Sequence, residues 1–154
     1  MLYQKYKIMI YKKILIAVDS RENSMTVAKK GFELAEQLNA EAGLIFVVDI
    51  SMAIGNPDAG ILHNDALIIL KREAQDSLDQ LIRMNNRSID TIKFMPEGLP
   101  KESIMKTAEI WGADLIVMGL HGKSGFGIFV MGSISQYISL HSKIPVIIIP
   151  PEKK

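Results

Sequence analysis

Short apolar runs alternate along this chain with longer segments of helical periodicity. Residues 14–18 read ILIAV and are followed by Asp19, and residues 43–48 read GLIFVV and are followed by Asp49. Runs of this kind, rich in β-branched residues, are typical of strands that are buried on both faces of a parallel sheet. The sequence predicts strands at residues 14–18, 43–48, 91–95, 114–118 and 145–149.

Helices are predicted between these strands. Apolar residues recur at helical spacing over residues 23–39, 62–84, 100–111 and 133–140. Pro100 suits a first helical turn, and Gly112 suits a helix end. The alternation predicts an α/β fold, an open five-stranded parallel sheet with helices on both faces.

Sheets of this class bind ligands beyond the carboxyl ends of their strands, where the strand order reverses. The first, second and fourth predicted strands end at Asp19, at Val48 with Asp49, and at Gly119. We therefore expect a binding site among these residues. The loop at residues 50–61, which contains several Gly, Asn and Pro residues, is long enough to overhang it.

Length and composition exclude several classes of protein. The 154 residues fit a single domain, in which residues 1–11 are predicted to be an N-terminal extension. A net charge of +1, with both signs interleaved, gives no general attraction to nucleic acid or to acidic membranes. No apolar run reaches the roughly 20 residues of a membrane helix. The absence of cysteine excludes disulfides and thiolate sites, and cytoplasmic localisation is expected.

Residues 119–135 (GLHGKSGFGIFVMGSIS) carry the strongest functional signal. Glycines between a strand and a helix allow the backbone to approach a ligand closely, and a helix start favours an anion, so this segment predicts phosphate binding. A flexible crossover loop is the alternative. A P-loop is excluded because Val117 stands where its first glycine is required, and a dinucleotide fingerprint is excluded because residues 19–22 contain no glycine.

Individual side chains near the predicted site have two interpretations each. Asp19 either contacts the ligand or caps the following helix, and Lys123 is either a solvated charge or a cation that reaches the distal phosphates. His121 is interpreted as a loop residue rather than an acid or base, because no partner lies near it in sequence. Asp49 is predicted to form a turn. Packing roles are predicted for Met52, Met118 and Met131.

The spacing of Gly119, Gly122, Gly132 and Ser133 resembles the motif of the universal stress protein family: glycine, two residues, glycine, nine residues, glycine and then serine or threonine. The resemblance extends to KKILIAVDSRENS at the first strand, VVDI at the second, EGLPKESIMKTAEIWGADLIVMG before the glycines and IPVIIIP at the end. It implies strand order 3-2-1-4-5, ATP binding, and a homodimer formed through Val146–Ile149. One departure is the sequence Gly125-Phe126-Gly127, which is predicted to loosen the loop.

The resemblance also implies a set of nucleotide-binding residues. Asp19 would lie by the ribose or the adenine, Ala17 and Val47 beside the base, and Met118 with Gly119 on the ribose side. The glycines and the helix start after them would hold the phosphates. The full predicted set is Ala17, Val18, Asp19, Val47, Met118, Gly119, His121, Gly122, Lys123, Gly132, Ser133 and Ile134.

Three functions remain open from the sequence. The first is a nucleotide-dependent sensor or switch in a stress response, the second a slow ATP hydrolase, and the third a nucleotide-free dimerisation module. A hydrolase needs a group that positions water in line with the γ-phosphate, and the sequence offers no obvious one. Because His63, His121 and His141 are scattered, any Mg²⁺ or Mn²⁺ is expected to arrive with the nucleotide phosphates.

Overall fold

The computed structural model describes residues 10–87, 90–120 and 131–152. Along the chain, the described elements alternate between strands and helices. They are β1 (Lys13–Val18), α1 (Asn23–Leu38), β2 (Glu41–Phe46), β3 (Val48–Asp49), α2 (His63–Met84), β4 (Thr91–Phe94), β5 (Glu97–Gly98), α3 (Pro100–Trp111), β6 (Leu115–Gly119), α4 (Ser133–His141) and β7 (Val146–Ile149). Two 3₁₀ turns, Ile50–Met52 and Pro57–Ala59, lie between β3 and α2.

The main sheet has five strands in the order β4-β2-β1-β6-β7, and every neighbouring pair is parallel. When β3 and β5 are left out, this order is the predicted 3-2-1-4-5. The two short strands pair with each other in a separate parallel ladder. From β1 the chain adds β2 and then β4 on one side of the sheet. After β4, at that edge, it crosses to the other side of β1 and adds β6 and then β7, so the strand order reverses between β1 and β6.

Alternate side chains of β1 supply two apolar layers, one on each face of the sheet. Ile14 and Ile16 pack with residues of α1 and α2, whereas Leu15 and Ala17 pack with residues of α3 and α4. Both layers exclude water, because the side chains of residues 14–16 are fully buried. This arrangement confirms the prediction of helices on both faces.

Helix α1 lies close against the central strand at Gly31. A Cβ atom at this position would stand 2.7 Å from both Cγ1 and Cδ1 of Ile16, well inside van der Waals contact. Glycine is required here for packing, because a larger residue would force the helix away from the sheet.

The predicted second strand, residues 43–48, differs from the observed one. Strand β2 runs from Glu41 to Phe46, and the backbone N–H of Val48 instead donates to the carbonyl of Pro96. The apolar run at residues 43–48 therefore contributes to two ladders: β2 in the main sheet and β3, which pairs with β5. Among the described residues, no helix is long and apolar enough to cross a membrane.

Candidate functional site

A cleft of about 320 Å³ opens at the carboxyl ends of β1, β2 and β6. Its lining comes from the ends of strands, from the segments that follow β1 and β3, and from the helices α2, α3 and α4. The lining residues are Ala17, Val18, Asp19, Ser20, Arg21, Phe46, Val47, Val48, Asp49, Met52, Leu70, Glu73, Pro100, Ile104, Met118 and Ile134. The position agrees with the rule that open parallel sheets bind ligands where the strand order reverses.

The floor of the cleft is apolar. Ala17 and Met118 are neighbours in the ladder between β1 and β6, and both are nearly buried. Ile104 from α3 and Ile134 from α4 pack on the same side of the sheet, with Val47 at the edge of that layer. Such a surface suits the flat face of an aromatic ring, because aliphatic side chains contact it without requiring hydrogen bonds.

Asp19 is held at the rim of the cleft by the start of α1. Its Oδ1 atom accepts a hydrogen bond from the backbone N–H of Arg21 at 2.9 Å and another from the Ser24 hydroxyl at 3.1 Å. The Arg21 guanidinium lies 3.7 Å from Oδ2. Ser24 is buried, whereas the Asp19 side chain keeps 34% of its exposure. The carboxylate is therefore fixed in direction and still accessible to a ligand.

The loop after β3 covers one side of the cleft. Asp49 begins it, and its Oδ1 atom accepts from the backbone N–H and the hydroxyl of Ser51 at 3.0 and 2.6 Å. This geometry confirms the predicted turn role of Asp49, which also lines the cleft. Nδ1 of His63 lies 2.6 Å from the Ala53 carbonyl and ties the loop to α2.

Two methionines do not have the packing role predicted for them. Met52 is 64% exposed at the mouth of the cleft, and Met131 is 37% exposed before α4. The prediction was wrong for both because apolar side chains beside an open site need not enter the core. Met118, in contrast, is 2% exposed, as a packing residue should be.

The first turn of α4 begins beside the cleft. Gly132 precedes it in an extended conformation, with φ −69° and ψ 163°, and Ser133 is its first helical residue. No side chain of the described residues caps the backbone N–H groups of this turn. Because Ile134 lines the cleft, these N–H groups start at its border.

The predicted residues from Gly119 to Lys123 are described only in part. Gly119 ends β6, and the next residue, Leu120, donates its N–H to the Ile149 carbonyl at 3.0 Å. His121, Gly122 and Lys123 lie outside the described residues. The structure thus brings together Ala17, Val18, Asp19, Val47, Met118 and Ile134 in one cleft, with Gly119, Gly132 and Ser133 beyond its lining.

Several residues of the lining lie outside the set predicted from the sequence. Arg21 and Glu73 add charge to the cleft, whereas Leu70 and Ile104 add apolar surface. A signal existed for Arg21, because it follows the predicted strand end by two residues. Among the lining residues that the structure describes, three carboxylates, from Asp19, Asp49 and Glu73, accompany the Arg21 guanidinium. Within the described ranges, no group of three or more metal-ligating side chains could hold a metal ion.

A family model and similar proteins point to the same family. The family model described as universal stress protein family matches residues 10–150. Universal stress protein MJ0531 of Methanocaldococcus jannaschii is 34% identical over 148 residues, which cover 94% of this chain and 85% of that protein.

Solved structures of similar fold include the universal stress protein UspA from Lactobacillus plantarum, which is 25% identical with a TM-score of 0.77 and is matched over 92% of this chain and 99% of its own. The universal stress protein from Archaeoglobus fulgidus in complex with dAMP has a TM-score of 0.61 and 21% identity, and the match covers 92% of this chain and 99% of that chain. At that identity the second likeness concerns the fold alone.

Proposed function

We propose that this chain, which belongs to the universal stress protein family, binds an adenine nucleotide, ATP, in the cleft at the carboxyl ends of β1, β2 and β6. The observation that carries the proposal is the convergence of Ala17, Asp19, Val47 and Met118, which are separated in sequence, on this one cleft. Their chemistry suits the parts of a nucleoside: aliphatic surface for the base and a carboxylate for sugar hydroxyls.

The adenine would lie on the aliphatic floor formed by Ala17, Val47 and Met118. Val18 and Asp19 would stand next to the ribose, and the Asp19 carboxylate has accessible surface left for a ribose hydroxyl. A hydrogen bond to an ionised group contributes about 1.5 to 3 kcal/mol, enough for this contact to matter to affinity. The dAMP complex of the Archaeoglobus fulgidus protein supports an adenine nucleotide as a ligand that this fold accommodates.

The phosphates would extend from the ribose toward the glycine-rich segment and the start of α4. Gly119, Gly122 and Gly132 allow close approach of the backbone, while the N–H groups of Ser133 and Ile134 offer donors at a helix N-terminus. His121 and Lys123 complete the proposed set as polar neighbours of the phosphate chain. A Mg²⁺ or Mn²⁺ ion would be carried by the phosphates, since the cleft supplies carboxylates only around its rim.

Nucleotide occupancy would act as a signal in a cytoplasmic stress response. The proposed output is a homodimer through β7, whose outer edge is unpaired in the described sheet. Strand β6 ends at the cleft and pairs with β7 along its length. The nucleotide and the proposed dimer edge would therefore contact the same rigid sheet. We therefore propose a nucleotide-dependent switch rather than an enzyme.

Two measurements test this function. Mass spectrometry of the ligand released from purified protein should find an adenine nucleotide, and calorimetric titration should give tighter binding for ATP than for GTP. The variant Gly122→Val should lose ATP binding while keeping its far-ultraviolet circular dichroism, with Gly122→Ala as the graded control. A folded wild-type protein that neither carries nor binds a nucleotide would contradict the proposal and favour a nucleotide-free module.

A further inference from the structure

The first half of α2 exposes apolar side chains on its outer face. The fully buried residues of this helix begin only at Ala74, near its middle. Before that point Ile68 and Ile69 are 57% and 54% exposed, and Ile61 and Leu62 are exposed just before the helix starts. The outer face of a surface helix is normally polar, so adjacent exposed isoleucines indicate a contact surface for a partner.

Two opposite charges flank this pair of isoleucines at equal spacing. Asp65 lies three residues before Ile68, and Arg72 lies three residues after Ile69. At 3.6 residues per turn, all four residues share the outer side of α2, and at 1.5 Å per residue each charge lies about 5 Å from the midpoint of the isoleucines. Within the described part of the chain, Arg72 forms no ion pair, so its charge is available to a partner.

The sequence of acid, two isoleucines and base along α2 is complementary to the same sequence on a second helix that runs antiparallel. If two α2 helices run antiparallel about the midpoint between Ile68 and Ile69, the isoleucines of one meet those of the other. Asp65 of each copy then stands level with Arg72 of the other copy. An interface in which residue i contacts j and j contacts i is the signature of a closed twofold dimer.

We propose that the outer face of the first half of α2 is an interface with a second copy of this chain, formed by antiparallel pairing of the two helices. The apolar contact supplies the association, and the two symmetric ion pairs fix the direction and register. At 3.6 residues per turn, Leu70 of the cleft lining lies on the side of α2 away from this surface, whereas Glu73 follows Ile69 by about one turn and lies at its border. The surface is separate from the edge of β7.

Site-specific crosslinking tests the interface directly. The chain has no cysteine, so Ile69→Cys introduces the only thiol. Mild oxidation should link two copies of this variant on the order of tenfold faster than two copies of Ile110→Cys, because pairing raises the effective concentration of the thiols. Ile110 is a matched control on α3, being 76% exposed. Equal rates for the two variants would overturn the proposal.

Charge reversal tests the register. In the Ile69→Cys background, Arg72→Asp and Asp65→Arg should each slow crosslinking, because each places like charges opposite one another in its own homodimer. An equimolar mixture of the two variants should recover the rate, since every ion pair is restored in the mixed dimer.

The mixture also separates the interface from a folding defect. Asp65 accepts a hydrogen bond from the Leu62 N–H at 3.1 Å, so its substitution removes a contact at the helix start. A defect of that kind persists on mixing, whereas lost complementarity is repaired. Crosslinking that stays slow in the mixture would overturn the proposed pairing, whatever association occurs at β7.

Discussion

Ser24 and Asp19 are joined by two hydrogen bonds of opposite direction. The Ser24 hydroxyl donates to Oδ1 of Asp19 at 3.1 Å and accepts from the Asp19 backbone N–H at 2.9 Å. Because Ser24 is only 5% exposed, this closed pair is shielded from water and fixes the strand exit against the start of α1. Asp19 is therefore both a ligand candidate and part of the local structure. It does not cap α1 as the alternative from sequence expected, because the backbone N–H from which it accepts belongs to Arg21, before the helix, and the N-cap residue is Glu22.

The first prediction separates these two roles of Asp19. Asp19→Asn keeps an oxygen acceptor for the Arg21 N–H and the Ser24 hydroxyl, and removes the charge. ATP affinity should fall by about tenfold to a hundredfold, because a hydrogen bond to an ionised group is lost. The free energy of unfolding should change by less than about 1 kcal/mol. Calorimetric titration and urea unfolding on the same protein provide the measurement.

Ser24→Ala is the matched control for that prediction. It keeps the carboxylate but leaves the partly buried Asp19 N–H without its hydroxyl partner, which costs about 1 kcal/mol of stability. If Asp19→Asn instead shows unchanged affinity and a large loss of stability, Asp19 has a structural role only and its proposed contact with the ribose is wrong.

Much of the fold could be predicted because burial leaves a direct trace in the sequence. The run at residues 14–18 lies entirely within β1, and Pro100 and Gly112 stand at the two ends of α3 as predicted. The end of β2 could not be located, because apolar residues signal burial and do not specify the pairing partner. Val48 is buried, yet it pairs with Glu97 rather than extending β2.

The candidate site was predictable only in part. Ala17 and Met118 follow from the family resemblance, and Asp19, Val48 and Asp49 follow from the rule that ligands bind at strand ends. Met52 and Glu73 do not, because their arrival at the cleft depends on the path of residues 50–62 and on where α2 packs. Neither position is encoded in a local pattern, and both require the assembled tertiary structure.

The second prediction concerns the close approach of α1 to the sheet. Gly31→Ala places a methyl group 2.7 Å from Ile16 side-chain atoms and should destabilise the protein by about 1 to 3 kcal/mol, despite the higher helix propensity of alanine. Urea unfolding measures the change. Ile16→Val removes Cδ1, so the double variant should lose less stability than the sum of the single variants. Additive losses would show that the two side chains do not clash.

A third prediction concerns the ion pair between α2 and the edge strand β4. Hydrogen bonds from Gln75 and from Lys93, each 3.0 Å long, hold the pKa of the Asp79 carboxyl below its ordinary value. A lowered folded-state pKa stabilises the fold above the unfolded-state pKa, and that stabilisation is lost as the pH falls through the folded-state pKa.

Lys93→Met should therefore reduce the free energy of unfolding at pH 7, by at most about 1 kcal/mol because both side chains are well exposed. The difference from wild type should shrink below about pH 4. Lys106→Met, on α3, is the control, since Lys106 forms no ion pair within the described residues. A difference that stays constant from pH 7 to pH 3 would mean that Lys93 contributes by packing and not by charge.

The fourth prediction tests the proposed strand-edge dimer at β7. The Pro145 carbonyl accepts a hydrogen bond from the N–H of Ile116 in β6, and the Ile149 carbonyl accepts one from the N–H of Leu120, just after β6, at 3.0 Å each. Since backbone groups alternate in direction along a strand, the N–H of Ile148 faces the open edge and is not used within the sheet. A proline at this position removes an edge donor without removing an internal hydrogen bond.

Ile148→Pro should therefore weaken dimerisation through β7 and leave the internal ladder between β6 and β7 intact. Ile148→Ala is the matched control, because it removes the same side chain from the apolar layer that contains Ile116 and Ile138, and keeps the N–H. Sedimentation velocity of both variants should show a larger monomer fraction for the proline variant at equal concentration. Far-ultraviolet circular dichroism should be the same for both. If the two variants dimerise equally while both remain folded, the edge of β7 is not the interface, and association of this chain would have to be sought on another surface, with α2 as the first to be tested.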